Sequence, residues 1–311
     1  MNCSLRHPRR QRNRAFGILV CYTSSVTPAI EYALGAMLCF GLGDLIYKRA
    51  GGAGAQPHHL LMVQSWLFTL LVVVFGLATR SLTWTAGTAW GALAGFFMMT
   101  GFYNFAHSLK TGSISINAPI FRLSFVITAT LAIAVLGEAA SPTKIAGITL
   151  ALAASWLLLG APAETSRVHK RETRSSLIRV LIATAAVGTG NAIYKIGLQA
   201  GATPASLVVA QGCVVVLLST GLMARIDRRI RPATAALVYA PASAVVLAGG
   251  FIFMVESLTV GDASVVVPIA QMGFGVTALV GFLVLKERLT ARKAAGLLAA
   301  LAALASFTYA T

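Results

Sequence analysis

The chain has 311 residues, 57% hydrophobic and only 11% charged, with a mean hydropathy of +0.79 and a net charge of +16. Soluble domains carry roughly 25% charged residues, so this apolar excess excludes one water-soluble core and indicates a polytopic membrane protein. The basic residues lie in short clusters between apolar stretches, as in cytoplasmic membrane loops, and build no folded surface for nucleic acid.

In chain order, residues 1–30 form a basic N-terminal segment with Arg6, Arg9, Arg10, Arg12 and Arg14. Its uncharged stretch 15–30 is open to three readings: a short extra span, the core of a leader, or sequence upstream of the true start. Apolar runs of about 20 residues then predict spans at 31–50, 59–79, 88–109, 114–136 and 143–160. A basic linker at 161–176 follows, and five further spans are predicted at 178–198, 205–224, 234–258, 263–285 and 292–310. Domain boundaries are therefore expected at 31–160 and 177–311, on either side of the linker. Cys3, Cys21, Cys39 and Cys213 show no disulfide or metal-ligand spacing.

The two halves repeat each other. Gly43-Asp44-Leu45-Ile46-Tyr47-Lys48 returns 147 positions later as Gly190-Asn191-Ala192-Ile193-Tyr194-Lys195, and Gln64 returns as Gln211. Further on the offset is 149: Ser108-Leu109 meets Ser257-Leu258, Pro119-Ile120 meets Pro268-Ile269, and Glu138 meets Glu287. The chain is a duplicated unit of about 150 residues. Five spans per unit is an odd number, so the second copy enters the membrane from the opposite side. The expected fold is an all-α polytopic membrane protein: ten transmembrane helices as two inverted five-helix repeats. Loop charge puts the linker and the 225–232 and 286–293 connections in the cytoplasm. The arginine-rich tail then falls outside.

Ser257-Leu258-Thr259-Val260-Gly261-Asp262-Ala263-Ser264, Pro268-Ile269, Leu285-Lys286-Glu287-Arg288-Leu289-Thr290 and Gly296 resemble the EamA-type repeat of the drug/metabolite transporter superfamily. The first half carries the same order in Ser108-Leu109, Gly112-Ser113-Ile114-Ser115, Pro119, Leu136-Gly137-Glu138 and Gly147. The resemblance implies two EamA-like repeats and ATP-independent transport of small organic solutes. It leaves the substrate undefined.

Arg122 lies well inside the predicted fourth span, where an arginine costs at least ~2.5 kcal/mol and turns toward a cavity or partner. It is either an anchor for a carboxylate or phosphate, or half of a structural ion pair with Asp44 or Glu256. Its repeat counterpart is Gln271. Asp44, Tyr47 and Lys48 share one helix face, and Asn191, Tyr194 and Lys195 share the equivalent face. Both sets are candidate site linings, with snorkelling as the alternative for the lysines. Gln64 and Gln211 can bond substrate or bridge helices. Asp44, Glu256 and His107 are the proton-coupling candidates. Pro119 and Pro268 are expected to break their helices. Glu138 and Glu287 read as turn and capping residues.

The expected function is a secondary active transporter for an anionic or zwitterionic metabolite in the inner cell membrane, working by alternating access at the repeat interface. The alternatives are a membrane-embedded enzyme on lipid-linked substrates and a non-transporting scaffold or sensor. The sequence has no phosphate-binding loop and no paired-carboxylate motif. No enzyme activity, cofactor or metal is expected. The expected partners are a small molecule and the lipid bilayer, with a homodimer left open.

Overall fold

The computed structural model describes residues 28–111, 117, 120–159, 170–228, 230–283 and 290–309. All regular structure among them is helical. The first repeat supplies α1 (Pro28–Gly52), α2 (Pro57–Ala78), α3 (Thr88–Thr111), α4 (Ser124–Ala134) and α5 (Pro142–Leu159). The second supplies α6 (Lys170–Gln199), α7 (Pro204–Asp227), α8 (Thr234–Val260), α9 (Ala263–Gln271), α10 (Gly273–Leu283) and α11 (Ala291–Thr308).

Several helices start as their sequences dictate. Pro57, Pro142 and Pro204 each open a helix, where the missing N–H has no intrahelical partner to lose. Thr203 and Thr290 cap α7 and α11 by accepting from Ser206 N and Lys293 N at 3.4 and 3.3 Å. Two expected boundaries move. The described first helix already includes Pro28, ahead of the expected start at Glu31. The end of the expected linker, residues 170–176, is the first part of α6, because Lys170-Arg171-Glu172-Thr173-Arg174 contains no glycine or proline to stop a helix. Residues 1–27 and 160–169, and with them the tail and the rest of the linker, lie outside the described residues. So do Pro119 and Glu287.

Six helices among the described residues are long and apolar enough to cross a membrane: α1, α2, residues 174–199 of α6, α7, α8 and α11. Shorter apolar helices run over Ile120–Ala134, Pro142–Leu158 and Ala263–Thr277. The ten expected spans are therefore met in part by length and composition. The outer surface carries Leu70, Leu77, Trp156, Leu217, Leu298 and Leu301 exposed, which suits hydrocarbon rather than water.

The repeats do not pack as separate bodies. The most extensive contacts are α3 against α6 and α1 against α8, which is the same pair with the repeats exchanged. The pattern continues with α3·α7 and α2·α8, and with α4·α6 and α1 against α9 and α10. The pairs α2·α7 and α5·α11 are their own counterparts. Each repeat thus completes its core with helices from the other.

The helix interruptions obey the same symmetry. Backbone turns at Leu123 and Met272, 149 positions apart, separate residues 120–122 from α4 and α9 from α10. In each, an N–H bonds three residues back, Leu123 to Ile120 O and Met272 to Ile269 O, both at 3.0 Å. Pro268 was expected to mark the break. It sits inside α9 and the turn comes four residues later, beside the close approach of α10 to α1. A Cβ on Gly273 would lie 2.7 Å from Gly41 N. Thr277 Oγ1 donates to Gly41 O at 3.1 Å, and its counterpart Thr128 Oγ1 donates to Gly188 O at 2.9 Å. The turns therefore lie where one repeat is pinned to the first helix of the other.

Small residues make these approaches feasible. A Cβ on Gly91 would meet Leu207 O at 2.4 Å, whereas Gly221 has open space around it. Gly91→Val is expected to cost about 1–3 kcal/mol by forcing α3 from α7. Gly221→Ala should be neutral or stabilise by up to ~1 kcal/mol through helix propensity. Thermal unfolding in detergent compares the two; equal effects would refute this packing account.

Candidate functional site

Arg122 occupies the last position before the Leu123 turn. Its guanidinium forms an ion pair with Asp44 of α1, and Nη1 donates to Gln271 Oε1 at 3.5 Å. Of the two partners foreseen for Arg122, the structure pairs it with Asp44. Glu256 makes no ion pair among the described residues. Gln271 holds the matching position before the Met272 turn, so the two turn-flanking residues of the repeats touch each other. The Arg122 side chain is 13% exposed and Asp44 37% exposed, so the pair is open on the Asp44 side.

The pseudo-symmetric mate of Asp44 is Asn191. It is 1% exposed, and its Nδ2 has no hydrogen-bond partner among the described residues. A buried amide donor without a partner costs free energy unless a ligand or water meets it. The equivalent positions of the two repeats are therefore chemically asymmetric: a cation and an anion in one repeat, two amides in the other.

Around it the structure assigns partners to the other candidates. Tyr47 donates to Gln64 Oε1, and Tyr194 donates to Gln211 Oε1. Each bond ties the first helix of a repeat to the second. Gln64 receives a further bond from Ser243 Oγ of α8 at 3.2 Å. Lys195 Nζ donates to Leu258 O and Gly261 O, each at 2.7 Å, and so satisfies carbonyls at the end of α8. That contact is a helix cap formed across the bundle. The Lys48 side chain lies outside the described residues. The His107 ring meets Tyr103 edge-on at 6.0 Å.

Glu138 has a larger role than a local turn residue. Its carboxylate accepts from Ala263 N at 2.6 Å, Ser264 N at 2.9 Å and Ser264 Oγ at 2.5 Å. A first-repeat acid thus caps the N-terminus of α9, where free N–H groups and the helix dipole favour an anion. Lys144 Nζ bonds Asp262 Oδ2 at 2.5 Å at the same junction. Together they hold the start of the broken helix that carries Gln271. Sequence spacing held no sign of this crossing contact; the only signal was the rarity of acids in the chain.

A second cluster escaped the sequence reading. His58 and His59 at the start of α2 both reach Asp227 at the end of α7, with Nε2–Oδ2 distances of 3.2 and 2.6 Å. The three groups are close enough for a metal ion. The outer nitrogen of His59 argues for a different role. Ala233 N donates to His59 Nδ1 at 3.0 Å, so the neutral ring carries its proton on Nε2 and donates it to Asp227. Metal-ligating histidines normally donate from that second nitrogen. The cluster is a hydrogen-bonded clamp joining α2, the end of α7 and the end of the α7–α8 connection, just before α8.

With this geometry in place, comparison with known proteins is informative. Residues 27–160 match the model of the EamA-like transporter family. No curated protein matches the chain. A solved structure described only as a crystal structure of a protein is similar at 16% identity with a TM-score of 0.76, covering 89% of this chain and 95% of that one. At that identity the likeness bears on the fold alone.

The two tyrosine–glutamine bonds differ in a measurable way. Tyr194→Phe leaves the buried Gln211 oxygen without this donor, while Tyr47→Phe leaves Gln64 bonded to Ser243. A double-mutant cycle of Tyr194→Phe with Gln211→Leu is expected to give a coupling of about 0.6–1.7 kcal/mol in detergent unfolding. The Tyr47–Gln64 cycle should give less, and the reverse order would contradict the assigned bonds.

Proposed function

Starting from the drug/metabolite transporter superfamily, to which this chain belongs through its EamA-like residues 27–160, we propose that it is a secondary transporter for a small anionic or zwitterionic metabolite. Its two repeats run in opposite directions through the membrane. The linker and the 225–232 and 286–293 connections face the cytoplasm, and transport proceeds by alternating access around the centre of the bundle. The observation that carries this reading is the Arg122–Asp44 pair, in contact with Gln271 of the other repeat and set beside the helix turns.

The physical logic is an exchange of partners. A guanidinium inside the bilayer needs a counter-charge. Without substrate, Asp44 supplies it. A substrate carboxylate can replace Asp44 on the planar fork of Arg122, which bonds carboxylates in bidentate fashion. A zwitterion offers its ammonium to the displaced Asp44, so no charge is stranded. A purely anionic substrate leaves Asp44 uncompensated, and the release is then favourable when Asp44 takes up a proton. Substrate class and proton coupling are thus two consequences of one displacement. The unpartnered Asn191 amide gives a donor for the uncharged part of the solute.

This exchange also gives a reason for the rest of the machinery. Arg122 and Gln271 flank interruptions in rods that are each pinned to the first helix of the opposite repeat. A change at their contact is delivered to both halves. The Glu138 cap and the Lys144–Asp262 pair keep α9 in register while this happens.

Reconstitution into proteoliposomes tests the reading. Arg122→Gln, which copies the natural Gln271, is expected to weaken substrate binding by about 30-fold or more, the effect of losing a charge-paired hydrogen bond of at least ~2 kcal/mol. Asp44→Asn should abolish accumulation driven by an imposed pH gradient while preserving exchange without one if protons are coupled. Unchanged affinity in folded Arg122→Gln would remove Arg122 from the site. Wild-type accumulation indifferent to the pH gradient would reject proton coupling and leave the exchange with a zwitterion.

A further inference from the structure

A cleft of about 450 Å³ lies away from the Arg122 centre, at the seam of α3 and α6, lined by Asn104, Arg174, Ser175, Ile178, Arg179 and Ile182. Its size is within the ~300–1,000 Å³ range of small-ligand sites. Two of the six residues are arginines and none is acidic. Arg179 Nη1 donates to Asn104 Oδ1 at 3.4 Å, and Asn104 Nδ2 donates to Thr100 O at 2.9 Å. The amide therefore fixes one guanidinium at the rim. Arg174 makes no hydrogen bond or ion pair among the described residues, and it and Ser175 are exposed.

The chemistry changes along the cleft in one direction. Arg174, Ile178 and Ile182 follow each other at i, i+4 and i+8, so they form one stripe about 12 Å long on α6. Ile178 and Ile182 are 49% and 45% exposed. The charged run Lys170-Arg171-Glu172-Thr173-Arg174 gives way to apolar sequence on α6, and a stretch able to cross the membrane lies within residues 174–199. The stripe thus passes from cationic at the edge of the bilayer to aliphatic within it. A free phosphate or soluble anion has no use for the isoleucines. A phospholipid needs both ends: the head phosphate at the arginines and an acyl chain along Ile178 and Ile182.

We propose that this cleft is a binding site for an anionic phospholipid, with Arg174 and Arg179 holding the phosphate and Ser175 within the headgroup region. Basic pockets between membrane helices recognise such headgroups through charge. The site has consequences for transport because α3 and α6 belong to different repeats and form one of the two most extensive contacts of the fold. A lipid in their seam ties the motion of the repeats to the composition of the surrounding leaflet.

The test uses the full chain in neutral detergent, titrated with dioctanoyl phosphatidylglycerol, dioctanoyl phosphatidylcholine or inorganic phosphate, and read by native mass spectrometry and thermal shift. Phosphatidylglycerol should bind and raise the melting temperature, phosphatidylcholine should bind more weakly, and phosphate at equal concentration should not displace the lipid. Each interfacial cation contributes about 5-fold in affinity, so Arg174→Gln with Arg179→Gln is expected to weaken phosphatidylglycerol about 25-fold. Ser175→Glu places a like charge in the cleft without touching the Arg179–Asn104 bond, and it should weaken binding as well. It decides the matter if the double variant melts below the wild type without lipid. Wild-type affinity in folded Ser175→Glu or in the folded double variant would overturn the site. Equal binding of both lipids, or full displacement by phosphate, would overturn its assignment to an anionic lipid.

Discussion

A guanidinium inside a bilayer cannot be left alone, and the way Arg122 is neutralised organises the centre of this protein. Its counter-charge comes from α1 of the same repeat, its second contact from Gln271 of the other. Both Arg122 and Gln271 stand one residue before a turn in a broken rod. The ion pair is therefore also a joint between the repeats. Breaking it without replacement would expose two charges to a low-dielectric surrounding, a cost of several kcal/mol per ion. That cost makes the joint firm, and on the function proposed above it is also what makes the joint selective for a solute that can substitute for one of its members.

The same demand for internal satisfaction explains the crossing contacts elsewhere. Broken helices expose backbone groups in the middle of the membrane, where water does not meet them. The turn between α8 and α9 makes the same demand: Glu138 covers the first N–H groups of α9, and Lys195 covers terminal carbonyls of α8. Thr128 and Thr277 bond the carbonyls of Gly188 and Gly41 across the seams. The Glu138 and threonine links join helices of different repeats, in keeping with a core assembled by exchange of partners, while Lys195 ties α6 to α8 within the second repeat. Polar residues are few in this chain, and several of them serve this purpose before any solute is considered.

The duplication was legible in the sequence because it rests on rare polar residues against an apolar background. The offsets of 147 and 149 carried over into structure: the Tyr–Gln bonds, the Thr–Gly bonds and the paired turns all follow them. The identity of Arg122's partner was legible as one of two acids, since both lie in apolar segments and only folding brings one within reach. Other features were not. The turns were expected at prolines, because proline is the strongest local signal, but at Met272 the close approach of Gly273 to Gly41 marks the place. Lys195 read as a cavity-lining or snorkelling cation, because a helical wheel cannot register carbonyls presented by α8. The His58, His59 and Asp227 clamp joins residues some 170 positions apart with no repeat counterpart to announce it. Residues 170–176 read as linker for their charge, although charge and helicity are compatible where no glycine or proline intervenes.

The central claim is that Arg122 and Asp44 recognise substrate through their polarity and do not merely hold two helices together. The most direct measurement is a ligand-induced thermal shift of the purified charge-swapped protein, Asp44→Arg with Arg122→Asp, run beside the wild type against the same panel of anionic, zwitterionic and cationic metabolites. The swap keeps an ion pair at the joint but reverses which helix carries the cation. The account predicts a folded variant that no longer responds to the wild-type ligand. A folded swap variant that keeps the wild-type ligand response would show that the pair is only structural and would contradict the account.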